Sequence, residues 1–209
     1  MSADGGVTWR LADRGLVAAG QGLWDYAATA SGATVFAITE PLSTKPTNMG
    51  PTPPLILWRS DDAGATWTRP GALPHAYVGK MRAAMVGGTP VLYLQTFDDP
   101  SHSYIQAGPW GASGSWLTAP ASGPSGPLAQ NFPVLTTMPD GSLLIDSGGI
   151  LAWRWSARPG GWRQIAADPR LTSSIKSAFI VTTASGQQLW LEGSTESMSD
   201  VVEYSTLLT

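Results

Sequence analysis

The sequence predicts an all-β fold: a β-propeller of four-stranded antiparallel blades in four repeats, closed by an N-terminal strand that completes the last blade. Three observations lead there. Residues 2–9 (SADGGVTW) and 60–67 (SDDAGATW) share one frame, S-x-D-x-G-x-T-W. Tryptophans closing this frame or degenerate versions of it fall at Trp9, Trp67, Trp116 and Trp162, about 50 residues apart, which is a blade-sized period. Between them, tight turns join short β-branched and aromatic runs at residues 27–38, 83–94, 135–145 and 181–191, the pattern of β-hairpins.

The elements follow in chain order. Residues 2–9 open the chain as a hairpin tip, and residues 8–11 form a lone strand after it. The first full repeat has its hairpin at 27–38, a third run at 55–59, the frame at 60–67 and a fourth run led by Trp67. The second and third repeats follow suit, with third runs at 103–107 and 150–155 and fourth runs led by Trp116 and Trp162. The last repeat stops after its third run, 201–204. The strand at 8–11 then stands as its missing fourth, which would close the ring and remove exposed sheet edges. The alternative is a piece of a longer propeller cut in phase. Either way, residues 1–209 read as one domain.

The frame is structural in its chemistry. Its Asp accepts hydrogen bonds from backbone N–H groups just downstream, its Gly allows a left-handed turn, and its Trp buries a large ring. Ser2, Asp4, Gly6 and Trp9, and again Ser60, Asp62, Gly64 and Trp67, are therefore turn residues.

Composition bounds the function. Charged residues make only 13% of the chain, about half the usual share, so much of it is available for burial. A net charge of −3 with no Lys/Arg cluster argues against nucleic acid as the partner. No apolar run approaches the length of a bilayer span, and no signal-peptide pattern opens the chain. Cysteine is absent and the two histidines, His75 and His102, lie in separate loops, so no metal or cofactor is expected. Asp98 and Asp99 before Pro100 read as turn chemistry, and Trp153 and Trp155 share a strand face as packing residues.

The S-x-D-x-G-x-T-W frames resemble the Asp-box, or bacterial neuraminidase repeat, of sialidases, sortilin-type receptors and other propeller proteins. That resemblance implies a propeller whose boxes are turns remote from any active site, and it favours a secreted or cell-surface setting. For sialidase activity the family would offer an Arg-Ile-Pro motif, an arginine triad, a Tyr nucleophile with a Glu partner and an Asp acid/base. No Arg-Ile-Pro occurs here. Glu203 and Tyr204 are adjacent, so a strand would point them to opposite faces.

In an up-and-down meander the turns after strands one and three lie at one end, and here they are short. The connections at the other end are long and dissimilar, and variable loops on a rigid scaffold are where function concentrates. Residues entering the innermost strands at that end are Trp24, Asp25, Tyr26, Tyr77, Lys80, Arg82, Asn131, Phe132 and Lys176. Aromatic rings can stack on a sugar or peptide face, while Asp, Asn and cations orient hydroxyl or carboxylate groups. The sequence thus points to a non-catalytic binding module for a glycan or a protein segment at the long-loop face. The alternative is a sialidase-like glycoside hydrolase, for which Asp25 lacks a second carboxylate. Pairing of two chains into a larger ring is the oligomeric expectation if four blades cannot close alone.

Overall fold

The computed structural model describes residues 16, 21–42, 54–99, 102–110, 114–120, 134–146, 151–157, 162–167, 174–184, 186–194 and 200–205. They form four antiparallel sheets, each a meander that follows chain order. The first contains β1 (Gln21–Ala28), β2 (Val35–Pro41) and β3 (Ile56–Ser60); the second β4 (Tyr77–Val86), β5 (Thr89–Asp99), β6 (His102–Trp110) and β7 (Ser115–Thr118). The third contains β8 (Val134–Thr137), β9 (Leu143–Asp146), β10 (Leu151–Trp155) and β11 (Arg163–Ala167); the fourth β12 (Ser174–Thr183), β13 (Gly186–Ser194) and β14 (Asp200–Ser205). Among the described residues no helix is long and apolar enough to cross a membrane.

The hairpins form where Gly supplies a positive φ, as at Gly32, Gly87, Gly88, Gly141 and Gly186. Alternating side chains then give the first three sheets apolar faces, and facing sheets among them make the core. Phe36, Ile38 and Leu57 of the first sheet pack on Val78, Met81, Leu92 and Leu94 of the second. Val91, Tyr93 and Ile105 of the second pack on Leu135, Leu143, Ile145 and Trp155 of the third. Each sheet buries little alone, so stability resides in these seams.

The third sheet is keyed into the second at its first hairpin. Gly141 has φ +85°, and a Cβ there would sit 1.9 Å from the Met85 carbonyl oxygen. The Gly141 carbonyl accepts a hydrogen bond of 2.7 Å from the Tyr93 hydroxyl. Beside it, Asp140 accepts from the Ser142 amide and hydroxyl and pairs with Arg154. Burial pushes the Asp140 carboxyl up, yet the bonds from Ser142 and Arg154 together hold it below its ordinary value.

The array is open, which corrects the expected closed four-bladed ring. The sheets share no strands, and the first and last have three each. In the first sheet the expected fourth strand is reduced to one bridge, Arg59 to Thr68. Innermost strands meet in the series β1 to β4, β4 to β8 and β8 to β12, with no comparable seam from β12 back to β1 among the described residues. The physical mark of the opening is on β1: Leu23, Trp24 and Tyr26 are 50%, 39% and 65% exposed, where a ring would cover an innermost strand from both sides. The strand expected at 8–11 lies outside the described residues.

Candidate functional site

Three of the four innermost strands carry a β-bulge at corresponding positions, close to their first residues. The register of β1 against β2 shifts between Leu23 and Asp25, leaving Trp24 as the extra residue. β4 shifts against β5 between Val78 and Met81, across Gly79 and Lys80. β12 shifts against β13 between Ile175 and Ser177, at Lys176. A bulge leaves one residue out of the ladder, bends the strand and re-aims a side chain. Such a feature repeated at one level of separate sheets marks the long-loop end as a shaped surface.

The sequence-derived candidates fall around these bulges in unequal ways. Trp24 and Tyr26 are exposed on β1, while Asp25 between them is half-buried and accepts a 2.7 Å bond from the Tyr26 amide. Tyr77 opens β4 and pairs with Phe97. Burial holds the Lys80 ammonium below its usual value, and the neighbouring Arg82 guanidinium adds to the effect. Arg82 is a tie between sheets: its Nε donates to the Leu135 carbonyl at 2.9 Å and its Nη1 to the Met81 carbonyl at 2.8 Å. Lys176 is placed on β12 by its backbone. Asn131 and Phe132, like Ser2, Asp4, Gly6 and Trp9, lie outside the described residues.

Register brings in a carboxylate that spacing alone could not. Asp25 stands opposite Ile38 on β2, and Glu40 follows two residues later, opposite Gly22. Residues two apart on a strand share a face, so Asp25 and Glu40 form a diagonal cross-strand pair, about 7–8 Å apart at that kind of site. Both are half-buried. Gly22, facing Glu40, carries no side chain of its own, and Leu42 fills that space, its Cδ2 2.8 Å from where a Gly22 Cβ would sit. The bulge at Trp24 produces this pairing, because it offsets β1 by one residue just before Asp25.

A groove of about 470 Å3 opens along the edge of β3, lined by Pro54, Leu55, Ile56, Leu57, Arg69, Leu73 and His75 among others. Leu57 pairs with Ile38 and Ile56 with Thr39, which sets Leu55 alongside Glu40. The rows Asp25, Ile38, Leu57 and Gly22, Glu40, Leu55 therefore cross one face of the first sheet. Arg69 lies over the Trp58 ring, its guanidinium carbon 4.7 Å from the centroid. His75 stacks on Tyr104 with centroids 4.8 Å apart.

The other end of the sheets is closed chemistry. Ser60 Oγ receives the Gly64 amide at 2.7 Å and donates to Asp62 at 2.7 Å, while Asp62 accepts the Thr66 amide and hydroxyl at 2.8 and 2.6 Å. These bonds, those from the Thr66 hydroxyl first, lower the Asp62 pKa from 3.8 to about 2. Trp67 packs against Leu16, Ala37 and Trp58. Asp61 takes hydrogen bonds from Thr34 and Arg59.

No family model matches the sequence, and no curated protein matches it either. In structure the chain is similar to Zg3597, a family 117 glycoside hydrolase of the marine bacterium Zobellia galactanivorans, with a TM-score of 0.53 at 13% identity over 89% of this chain and 67% of that one. It is similar also to the hydrazine synthase of Kuenenia stuttgartiensis, with a TM-score of 0.52 at 13% identity over 87% of this chain. The chain spans only 58% of that second protein. At such identity the likeness is one of fold, an open propeller-like array of β-sheets.

These findings correct the Asp-box reading. The chain shares an array of antiparallel sheets with these structures and its own sheets do not close into a ring, because a turn motif such as residues 60–67 is local and leaves the arrangement of sheets open. The terms Asp-box, neuraminidase repeat and sialidase-like therefore do not describe the fold. The lean toward a non-catalytic module is corrected with it, since a glycoside hydrolase stands among the structural neighbours.

Proposed function

We propose that the chain is a carbohydrate-active module that holds a glycan across the bulged end of its innermost strands and hydrolyses a glycosidic bond there. The observation that supports this reading is the placement of Asp25 and Glu40 on one face beside the Trp24 bulge. Glycoside hydrolysis needs two carboxyl groups, about 5–9.5 Å apart, one to protonate the leaving oxygen and one to attack or to activate water. The backbones of a diagonal pair on neighbouring strands stand about 7–8 Å apart, which lets their two carboxyl groups reach that span. Trp24, exposed on β1, offers a flat apolar face for the C–H side of a pyranose ring. Lys80, on the adjacent β4, supplies a donor for sugar hydroxyls. The similarity in fold to a family 117 glycoside hydrolase adds weight of analogy only.

The test is a panel of polysaccharides and oligosaccharides offered to the intact chain and to Asp25→Asn and Glu40→Gln. We expect reducing ends to be released by the native chain and turnover to fall at least about a thousandfold in either variant. Glycan binding should persist in both, with melting unchanged. Full turnover in both variants, or none by the native chain on any glycan, contradicts the reading.

A further inference from the structure

We infer that the groove along β3 is an acceptor site for an extended polypeptide segment of a partner protein, which adds to the first sheet as its fourth strand. This site does not depend on the glycan reading and stands or falls apart from it.

The outer ladder of the first sheet stops after one rung. Arg59 and Thr68 exchange both backbone bonds, each 2.8 Å, as an antiparallel pair. Backbone groups alternate between the two sides of a strand, so Leu57 and Leu55 turn their N–H and C=O toward the same outer edge as Arg59. Among the described residues neither has a backbone partner there, because β3 pairs only with β2. In the second and third sheets the corresponding edge is covered by a strand, β7 on β6 and β11 on β10. The place is therefore one that this fold fills with a strand.

Residue types explain why the chain does not fill it with its own continuation. Carried on antiparallel from Arg59 and Thr68, the ladder would set Pro70 opposite Leu57, and Pro has no N–H to donate to the Leu57 carbonyl. The chain turns instead onto the second sheet. A Cβ at Gly114 would lie 2.7 Å from the Pro70 carbonyl oxygen, and the Trp116 indole N–H donates to the Ala72 carbonyl at 3.0 Å. With residues 70–72 held beside β7, a groove of about 470 Å3 remains, lined by residues 54–57 on one side and 71–76 on the other.

The walls define the chemistry of the partner. Residues directly opposite one another in a ladder share a face, so partner side chains opposite Leu57 and Leu55 point to the side of Leu73, which packs with Leu55 on the core between the first and second sheets. Those two positions suit apolar side chains, and no carboxylate lines the groove. Leu57 is 2% exposed at its floor, where water reaches the outward N–H and C=O poorly and a strand that bonds them is favoured. From Leu55 to Arg59 is about 13 Å, the length of about five extended residues. Residues 71–76 wall the outer side, so the groove admits a single segment rather than the sheet edge of a second copy. Such strand addition takes affinity from main-chain bonds and specificity from alternate side chains. The partner segment thus has apolar residues two apart and no Pro at either.

The experiment selects from a displayed library of random decapeptides on the intact chain and measures the affinity of the enriched peptides. They should carry the two apolar residues in that spacing. On binding, amide exchange read residue by residue should slow about tenfold or more at Leu55 and Leu57, the scale of a new backbone hydrogen bond. Ile56 and Trp58, whose N–H groups face β2, should not change. N-methylation of the peptide at either pairing residue should weaken binding about fivefold or more, and at the residue between them by much less. Leu55→Pro, which removes one outward N–H and leaves the bonds to β2, should weaken the unmethylated peptide by a similar factor. Failure to enrich any peptide, or binding that tolerates N-methylation and leaves exchange at Leu55 and Leu57 unchanged, overturns the acceptor site. Self-association of the chain that Leu55→Pro abolishes would give the edge to a second copy and overturn it as well.

Discussion

The two ends of the sheet array use the same residue types to opposite effect. At the short-turn end, Asp61, Asp62 and Asp140 are saturated by Thr34, Thr66, Ser142, Arg59 and Arg154. At the long-loop end, the Glu40 carboxylate has no side-chain hydrogen bond or ion pair among the described residues, and Lys80 is partly desolvated beside Arg82. A saturated carboxylate holds a backbone in shape and has nothing left for a ligand. An unsaturated one beside a groove costs stability, and that cost is the usual signature of a site.

The largest effect at the short-turn end should come from Gly141→Ala. A Cβ there meets the Met85 carbonyl at 1.9 Å in a backbone with φ +85°, so neither the turn nor the seam between the second and third sheets can keep its geometry. A loss of about 3 kcal/mol or more in a denaturant titration is expected. A loss below about 1 kcal/mol would mean that the hairpin is not keyed into its neighbour.

A smaller and pH-dependent effect belongs to Asp62. Its folded-state pKa, lowered from 3.8 to about 2, means that its contribution is complete above pH 3.8 and is lost as pH falls through about 2. The group is exposed and solvent screening makes the contribution modest. Asp62→Asn should flatten the fall in melting temperature across that window while barely altering the melt at neutral pH. An unchanged acid limb would show that the Ser60, Asp62 and Thr66 bonds do not hold the turn in solution.

The same contrast explains what could be read from the residues. The turn at 60–67 is legible because its partners, Ser60, Asp62, Gly64 and Thr66, lie within seven residues of one another. The hairpins are legible for the same reason, being marked by Gly between β-branched runs. Closure of the ring is a different kind of statement. It depends on whether the face of β1 bearing Leu23 and Tyr26 finds a neighbour, and nothing local in residues 21–28 decides that. Glu40 was invisible as a partner for Asp25 because a one-residue bulge, which has no strong sequence signature, sets their register. Arg82 stands among the candidate ligand-orienting residues, and its tie to Leu135, 53 positions away in sequence, is a contact that only the packing of two sheets reveals.

The central claim, that ligand binds at the long-loop end and the short-turn end only holds the sheets together, is open to one direct measurement. Hydrogen–deuterium exchange of the Glu40→Gln chain, with and without a saturating oligosaccharide from the panel, reads both ends at once. The account expects slowed exchange in residues 21–28, 54–58 and 69–80, with residues 60–67 and 138–142 unchanged. Protection confined to the latter two segments would contradict it.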